Sequence, residues 1–195
     1  MSFLKFVSGD RLDVSRRAFL GGSGLVLSAS AVALLAGCES LAAAQKSSDG
    51  GAAGDVAILN TALGAEREAV AAYQLGADSG LLDAGVKSVA LKFQGHHKAH
   101  ADLLAATVAK LGGHPVEAKS KYDFPVDKLR SQADVLRFAA QLEQGAVTAY
   151  LGAVPVFGNR DLARAAASIL GDEAMHWAVL RNVLGEDPVP AAFVG

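Results

Sequence analysis

Four stretches of the chain carry apolar residues at steps of three and four, the spacing that gathers side chains on one face of a helix. Leu59, Leu63, Glu66, Val70 and Tyr73 share such a face, in a helix expected from Asp55, its N-cap, to about Ala77, with Gly80 beyond as a stop. A second helix is expected from Asp83 to Leu111, ending at Gly112 and Gly113, with Val89, Phe93, His97, His100, Leu104 and Leu111 on its stripe. A third opens at Ser131, with Asp134 three residues on as in a capping box, and stops near Pro155. Its stripe is Leu136, Ala139, Glu143, Ala146 or Val147, and Tyr150. The fourth follows Asn159 and ends at Gly185, with Ile169, Glu173, His176, Leu180 and Val183 in line. Every stripe is thus interrupted by an ionisable group where core residues belong. Burying an unpaired carboxylate costs several kcal/mol, so such groups are usually neutralised, paired or metal-bound.

Between helices two and three, residues 113–130 hold Pro115 and Pro125, mixed charge and no helical stripe. A link of this length suits a crossover along a bundle, joining helices that run parallel. The expected fold class is therefore all-α, a four-helix bundle over residues 55–185 followed by a tail, 186–195. The two halves also repeat each other. Glu66 is followed by Ala72-Tyr73, and Glu143 at equal spacing by Ala149-Tyr150. His97-x-x-His100 answers Glu173-x-x-His176, each with a leucine four residues past the second histidine. A duplicated helix pair, its halves face to face, brings the inward polar groups to one level of the bundle.

Composition alters this picture mainly at the N-terminus. The chain has 195 residues, is 51% hydrophobic and carries a formal net charge of −2, so no basic excess points to nucleic acid. Five prolines and 6% aromatics favour helix. Some of the apolar content lies in residues 18–35, an uncharged run preceded by Lys5, Arg11, Arg16 and Arg17. The junction around Arg16 and Arg17 resembles a twin-arginine export signal, and Leu35-Ala-Gly-Cys38 resembles a bacterial lipobox. Together they imply a signal peptide over residues 1–37, export through the twin-arginine machinery, and a lipid on Cys38 that anchors the chain to the periplasmic or outer face of a bacterial membrane. The alternative is an uncleaved signal anchor. Residues 38–54, rich in Ser, Gly and Ala, read as a flexible tether. Cys38 is the only cysteine, which leaves the folded domain no intrachain disulfide and no thiolate ligand. Any metal there must be held by histidine and carboxylate.

Glu66, His97, His100, Glu143, Glu173 and His176 in this order resemble the ferritin-like superfamily, in which a Glu from each of two helices and a Glu-x-x-His from each of the other two face inward around two iron or manganese ions. The resemblance spans residues 55–185, and more narrowly the chain looks like the exported bacterial ferritin-like proteins that carry a twin-arginine signal. It implies Glu66 and Glu143 as terminal ligands, Glu173 as a bridge, and His100 and His176 as one imidazole for each metal. His97 departs from the pattern, standing where the second bridging Glu belongs. More imidazole shifts preference from Mn and Fe toward Zn, Cu or a lone Fe. His96, also one turn from His100, competes with His97, which aligns better with Glu173.

Two functions follow. In one, a metal-dependent redox protein uses Fe or Mn, one or two ions, to activate oxygen or peroxide or to oxidise Fe(II). In the other, the site is degenerate and the protein is a non-catalytic envelope lipoprotein that binds a partner or supports stress tolerance. Tyr73 and Tyr150 read as core residues with bonded hydroxyls near the site. Trp177 reads as packing, and His114, Lys119 and Lys121 as solvated. A homodimer is compatible with the sequence, whereas a tethered lipoprotein is an awkward subunit for a closed storage cage.

Overall fold

The computed structural model describes residues 51–194; Arg16, Arg17, Cys38, the whole of the expected signal peptide and most of the expected tether lie outside the described residues. The described residues form four α-helices: α1 (Gly51–Asp78), α2 (Ala84–Lys110), α3 (Gln132–Ala153) and α4 (Arg160–Val183). Single 3-10 turns occur at Val126–Lys128 and Val154–Val156, and there is no strand among the described residues. None of these helices is long and apolar enough to cross a membrane.

The helix ends are set by local chemistry. Asp83 caps α2 by accepting from the Val86 amide, and Ser131 caps α3 by accepting from Asp134, whose carboxylate in turn accepts from the Ser131 hydroxyl. Asn159 caps α4 through the amides of Asp161 and Leu162. Gly112 and Gly185 end α2 and α4 with left-handed φ of 80° and 74°. In both, the glycine amide bonds the carbonyl three residues back and the next amide bonds the one five residues back, a Schellman motif repeated in each half.

Helix α1 packs chiefly on α2 and α3 on α4, each pair joined by a short connection. Tyr73 meets Glu143 and Tyr150 meets Glu66, so α1 and α3 run antiparallel, and α2 is parallel to α3 as the crossover requires. The crossover is pinned to α1: the Asn60 amide donates to the His114 carbonyl and accepts from the Val116 amide, and Arg67 pairs with Glu117. Two apolar clusters form the core. Leu59, Leu63, Leu104 and Ile169 lie in one, and Phe93, Leu136 and Leu180 in the other, with the ionisable residues of all four helices between them.

Three expectations change. Helix α1 starts at Gly51, so Asp55 is not its N-cap and the expected tether gives up its last four residues to the helix. The Asp55 carboxylate is buried and accepts instead from the amides of Gly158 and Asn159, at 2.8 and 3.0 Å. Those amides lie just ahead of α4, and their partial positive charge suits a carboxylate better than solvent-facing groups would. Val183 is 43% exposed, because it lines an apolar groove with Val86, Val89 and Leu180 that opens to solvent, while Leu184 beside it packs on the core. Val70 is only partly buried.

Asp55 therefore joins the first helix to the last connection of the chain. Asp55→Ala is expected to destabilise the fold by about 1–3 kcal/mol, the cost of losing charge-assisted bonds at a buried acceptor. Urea unfolding measures it. A loss equal to that of an exposed alanine substitution would show that the contact carries no stability.

Candidate metal centre

Each helix delivers its ionisable residues to the same level because each occupies a core position between apolar neighbours one turn away on either side. Glu66 follows Leu63, Glu143 follows Ala140, His97 follows Phe93, and Glu173 follows Ile169. Glu66, His97, Glu143, Glu173 and His176 are all at most 3% exposed, and His100 is partly buried. The structure brings all six sequence-predicted residues into one cluster.

The cluster divides into two overlapping groups of potential ligands. Glu66, His97, His100 and Glu173 form one, and His97, Glu143, Glu173 and His176 the other, with the facing donor atoms of each group within 4.8 Å of one another. His97 and Glu173 belong to both. Glu173 faces one group with each oxygen: Oε1 lies 3.1 Å from His100 Nδ1, and Oε2 lies 3.6 Å from His176 Nδ1. His97 reaches across in the same way, with Nδ1 2.8 Å from Glu66 Oε2 and Nε2 3.3 Å from Glu143 Oε1. The arrangement has an approximate two-fold relation in which His97 and Glu173 exchange places.

The tyrosines complete that relation. Tyr150 donates to Glu66 Oε1 at 2.6 Å, and Tyr73 donates to Glu143 Oε1. Each tyrosine therefore orients the carboxylate of the opposite half, where sequence spacing alone placed it two turns from its own. Both are buried, and burial together with the adjacent carboxylates raises their phenol groups well above the usual range. They are proton donors fixed in the neutral form. Phe93 stacks on the His176 ring at a centroid distance of 4.0 Å and fixes its plane.

The charges are mutually dependent. Burial opposes a charge on His97, but its bonds to Glu143 and Glu66 outweigh it and push the imidazole up to about 11. His100 is pushed up to about 9 against its burial by Glu173 and Glu66, and His176 to about 9 by Glu143 and Glu173. Burial raises Glu66, yet the bonds from His100 and His97 hold it below the usual carboxylate range. Glu143 is likewise held well below that range by His176 and His97. In the metal-free form the glutamates around them thus hold all three imidazoles above their ordinary range.

Pairing is incomplete. Both oxygens of Glu173 and the Nδ1 atoms of His100 and His176 are buried without a hydrogen-bond partner. These four atoms face one another around the bridging position. A carboxylate with no hydrogen bond at the centre of a bundle is costly, and two neighbouring imidazole nitrogens left open make a donor set that a cation satisfies. The residues present fit a metal ion.

His96 does not replace His97. It lies outside the cluster, 37% exposed at its side chain, with Nδ1 3.0 Å from Asp172 Oδ2. Asp172 is absent from the sequence-based set. It precedes Glu173, so the helical rotation places it beside the stripe, yet its position one turn before His176 was the available signal. Trp177 packs against the second core cluster, with the Arg181 guanidinium over its ring, and His114, Lys119 and Lys121 are exposed.

This architecture has solved counterparts. A conserved hypothetical protein, rv2844, from Mycobacterium tuberculosis has a crystal structure similar to this fold, with a TM-score of 0.62 and 27% sequence identity, covering 71% of this chain and 96% of that one. Among curated proteins there is no match. The family profile described as the ferritin-like domain matches residues 54–186, most of the chain and almost all of the helical bundle. The match spans the two antiparallel helix pairs and the crossover between them, and the chain belongs to the ferritin-like domain family.

Proposed function

We propose that this is an exported, lipid-anchored metalloprotein whose buried carboxylate–histidine cluster holds iron or manganese and serves oxidation chemistry, with Fe(II), dioxygen or peroxide as the reacting species. The observation that carries the reading is Glu173, fully buried, with neither oxygen hydrogen-bonded and with an open imidazole nitrogen beside each. Carboxylate-rich sites with imidazole suit Fe and Mn, and the two groups of this cluster consist of histidine and glutamate. A bound iron or manganese would supply the one-electron steps that no side chain of this cluster provides. Export is supported by Arg16, Arg17 and the uncharged run after them, and anchoring by Cys38 at the end of that run.

The chain's own contributions can be derived from the geometry. Glu66, Glu143 and Glu173 supply the negative charge that a metal requires. Tyr73 and Tyr150 hold Glu143 and Glu66 in fixed rotamers, as outer hydrogen bonds do for ligands generally. His100 and His176 each present Nδ1 inward, next to a different oxygen of Glu173. The two apolar clusters exclude water above and below, which strengthens every charge interaction in the layer.

A second reading is favoured by His97. Its two nitrogens each contact a carboxylate, so as an imidazolium it occupies the space and part of the charge of one cation. In that reading the cluster is partly self-neutralised, the site takes a single ion or none, and the protein acts in the envelope as a binding or structural module.

Elemental analysis of full-length protein made under iron- and manganese-replete conditions separates the readings. About two ions per chain, lost in a Glu173→Ala, His176→Ala double variant, is the expected result for a dimetal centre. About one ion would assign a mononuclear site remodelled by His97. A folded wild-type protein that stays free of metal would overturn the metalloprotein reading.

The proton inventory adds a pH test. The raised histidines stabilise the metal-free fold fully below their unfolded value of 6.5, and that contribution fades as pH rises through about 9 for His100 and His176 and about 11 for His97. The depressed glutamates stabilise it above their unfolded value of 4.5 and lose that effect as pH falls. Metal-free protein is therefore expected to melt highest between about pH 4.5 and 6.5 and to weaken steadily above, whereas metal, which displaces those protons, should bind more tightly as pH rises. Thermal melts with and without Mn(II) read both slopes. A metal-free melting temperature that does not change from pH 6.5 to 9 would contradict the charge balance described for the core.

A further inference from the structure

The histidines that face the buried glutamates have second nitrogens, and these point the other way. His176 Nε2 lies 3.3 Å from Asp172 Oδ2 and 2.9 Å from His96 Nδ1, while His96 Nδ1 lies 3.0 Å from the same Asp172 oxygen. His100 Nε2 is 3.4 Å from that oxygen as well. One carboxylate oxygen is thus ringed by three imidazole nitrogens drawn from α2 and α4. Ligand atoms around a first-row divalent ion at about 2.0–2.1 Å stand roughly 2.8–3.4 Å apart, depending on whether the geometry is octahedral or tetrahedral. The observed separations span that range. His176 is 1% exposed and aims Nε2 into this group, whereas the side chains of His96 and Asp172 are 37% and 22% exposed and open it to solvent. The group therefore begins at the surface and ends on a residue of the buried cluster.

We propose that His96, Asp172 and the outer nitrogen of His176 form a second, solvent-facing site for a divalent transition-metal cation, through which ions reach the buried centre. The donors are two imidazole nitrogens and a carboxylate oxygen, with His100 Nε2 within reach as a fourth. That set favours borderline ions such as Fe(II), Co(II) and Zn(II) over Ca(II) and Mg(II), which prefer oxygen. An ion on the outer nitrogen of His176 leaves that ring's one remaining proton on Nδ1, toward Glu143 and Glu173. Passage inward has a physical basis in the two-sided imidazoles: His100 and His176 each expose one nitrogen to the outer group and the other to Glu173. Among the described residues, the buried cluster's other carboxylates, Glu66 and Glu143, lie behind the apolar layers and their tyrosine bonds. The outer site stands on its own geometry; its role in delivery rests on the buried cluster holding a metal.

Cobalt(II) titration of metal-free, full-length protein tests both parts, because cobalt reports ligand geometry in its visible absorption. Three proteins are compared: wild type, His96→Ala, and a Glu66→Gln, Glu143→Gln double variant that removes two buried carboxylates and leaves the outer group intact. The outer site predicts that His96→Ala binds about one equivalent less cobalt than wild type, and that the double variant keeps that equivalent. Equal binding by wild type and His96→Ala overturns the outer site, and the buried-site reading is then still judged by the separate difference between wild type and the double variant. Since His96 is half exposed, loss of fold is not expected, and circular dichroism of each variant checks it. For delivery, stopped-flow mixing follows the slower spectral change of the buried site. His96→Ala should slow that loading about 10-fold; an unchanged rate overturns delivery even where the stoichiometry supports the outer site.

Discussion

Three carboxylates buried in the middle of a helical bundle are the constraint on which the rest of this structure depends. Glu66, Glu143 and Glu173 are each at most 3% exposed, and without compensation their mutual repulsion and lost hydration would outweigh what the surrounding leucines contribute. The compensation is local and specific. Tyr150 and Tyr73 bond the first two, and His97 spans them, which leaves Glu173 as the group whose oxygens have no hydrogen bond. A bundle stabilised only by its core would gain from an apolar residue there. Keeping a carboxylate in that position is coherent when a cation completes the set.

The approximate two-fold relation explains both the order and the asymmetry of the site. Each half supplies a helix with a glutamate and a tyrosine seven residues on, and a helix with a pair of ionisable residues one turn apart. Each half also ends in the same left-handed glycine, Gly112 or Gly185. Antiparallel packing of α1 on α3 makes the tyrosine of one half meet the glutamate of the other, so neither half is electrostatically complete alone. The relation breaks at one place. Where one half has Glu173 the other has His97, an imidazole that its bonds to Glu143 and Glu66 push up to about 11. The charge available for a metal is lower by that exchange, which bears directly on how many ions the core can hold.

The cluster is also graded from inside to outside. His176 and His100 form its boundary, with one nitrogen toward Glu173 and the other toward Asp172, and His96 carries the same chemistry to the surface. The seam between α2 and α4 is where potential ligands are continuous from solvent to core. The crossover, by contrast, runs over α1, fixed by Asn60 and Arg67, on another side of the bundle.

Much of this was legible in the chain itself. Helical periodicity identified four helices, because burying one face of a helix imposes steps of three and four that irregular segments lack. The same periodicity picked out the six residues of the central cluster, since an ionisable group inside an apolar stripe must face whatever the stripe faces. What the chain alone could not convey was pairing across helices. That Tyr73 would reach Glu143 and not Glu66, that Asp55 would hold the amides before α4 and not cap its own helix, and that Asp172 would sit among three imidazoles all depend on the rotation and offset of packed helices. Val183 shows the same limit, since it keeps the period of its stripe but lines a groove that the packing of the helices leaves open. Sequence by itself determined which side chains face inward, because that follows from the geometry of one helix. Only the tertiary structure decided which of them meet, because contacts between helices are fixed by close packing of all four at once.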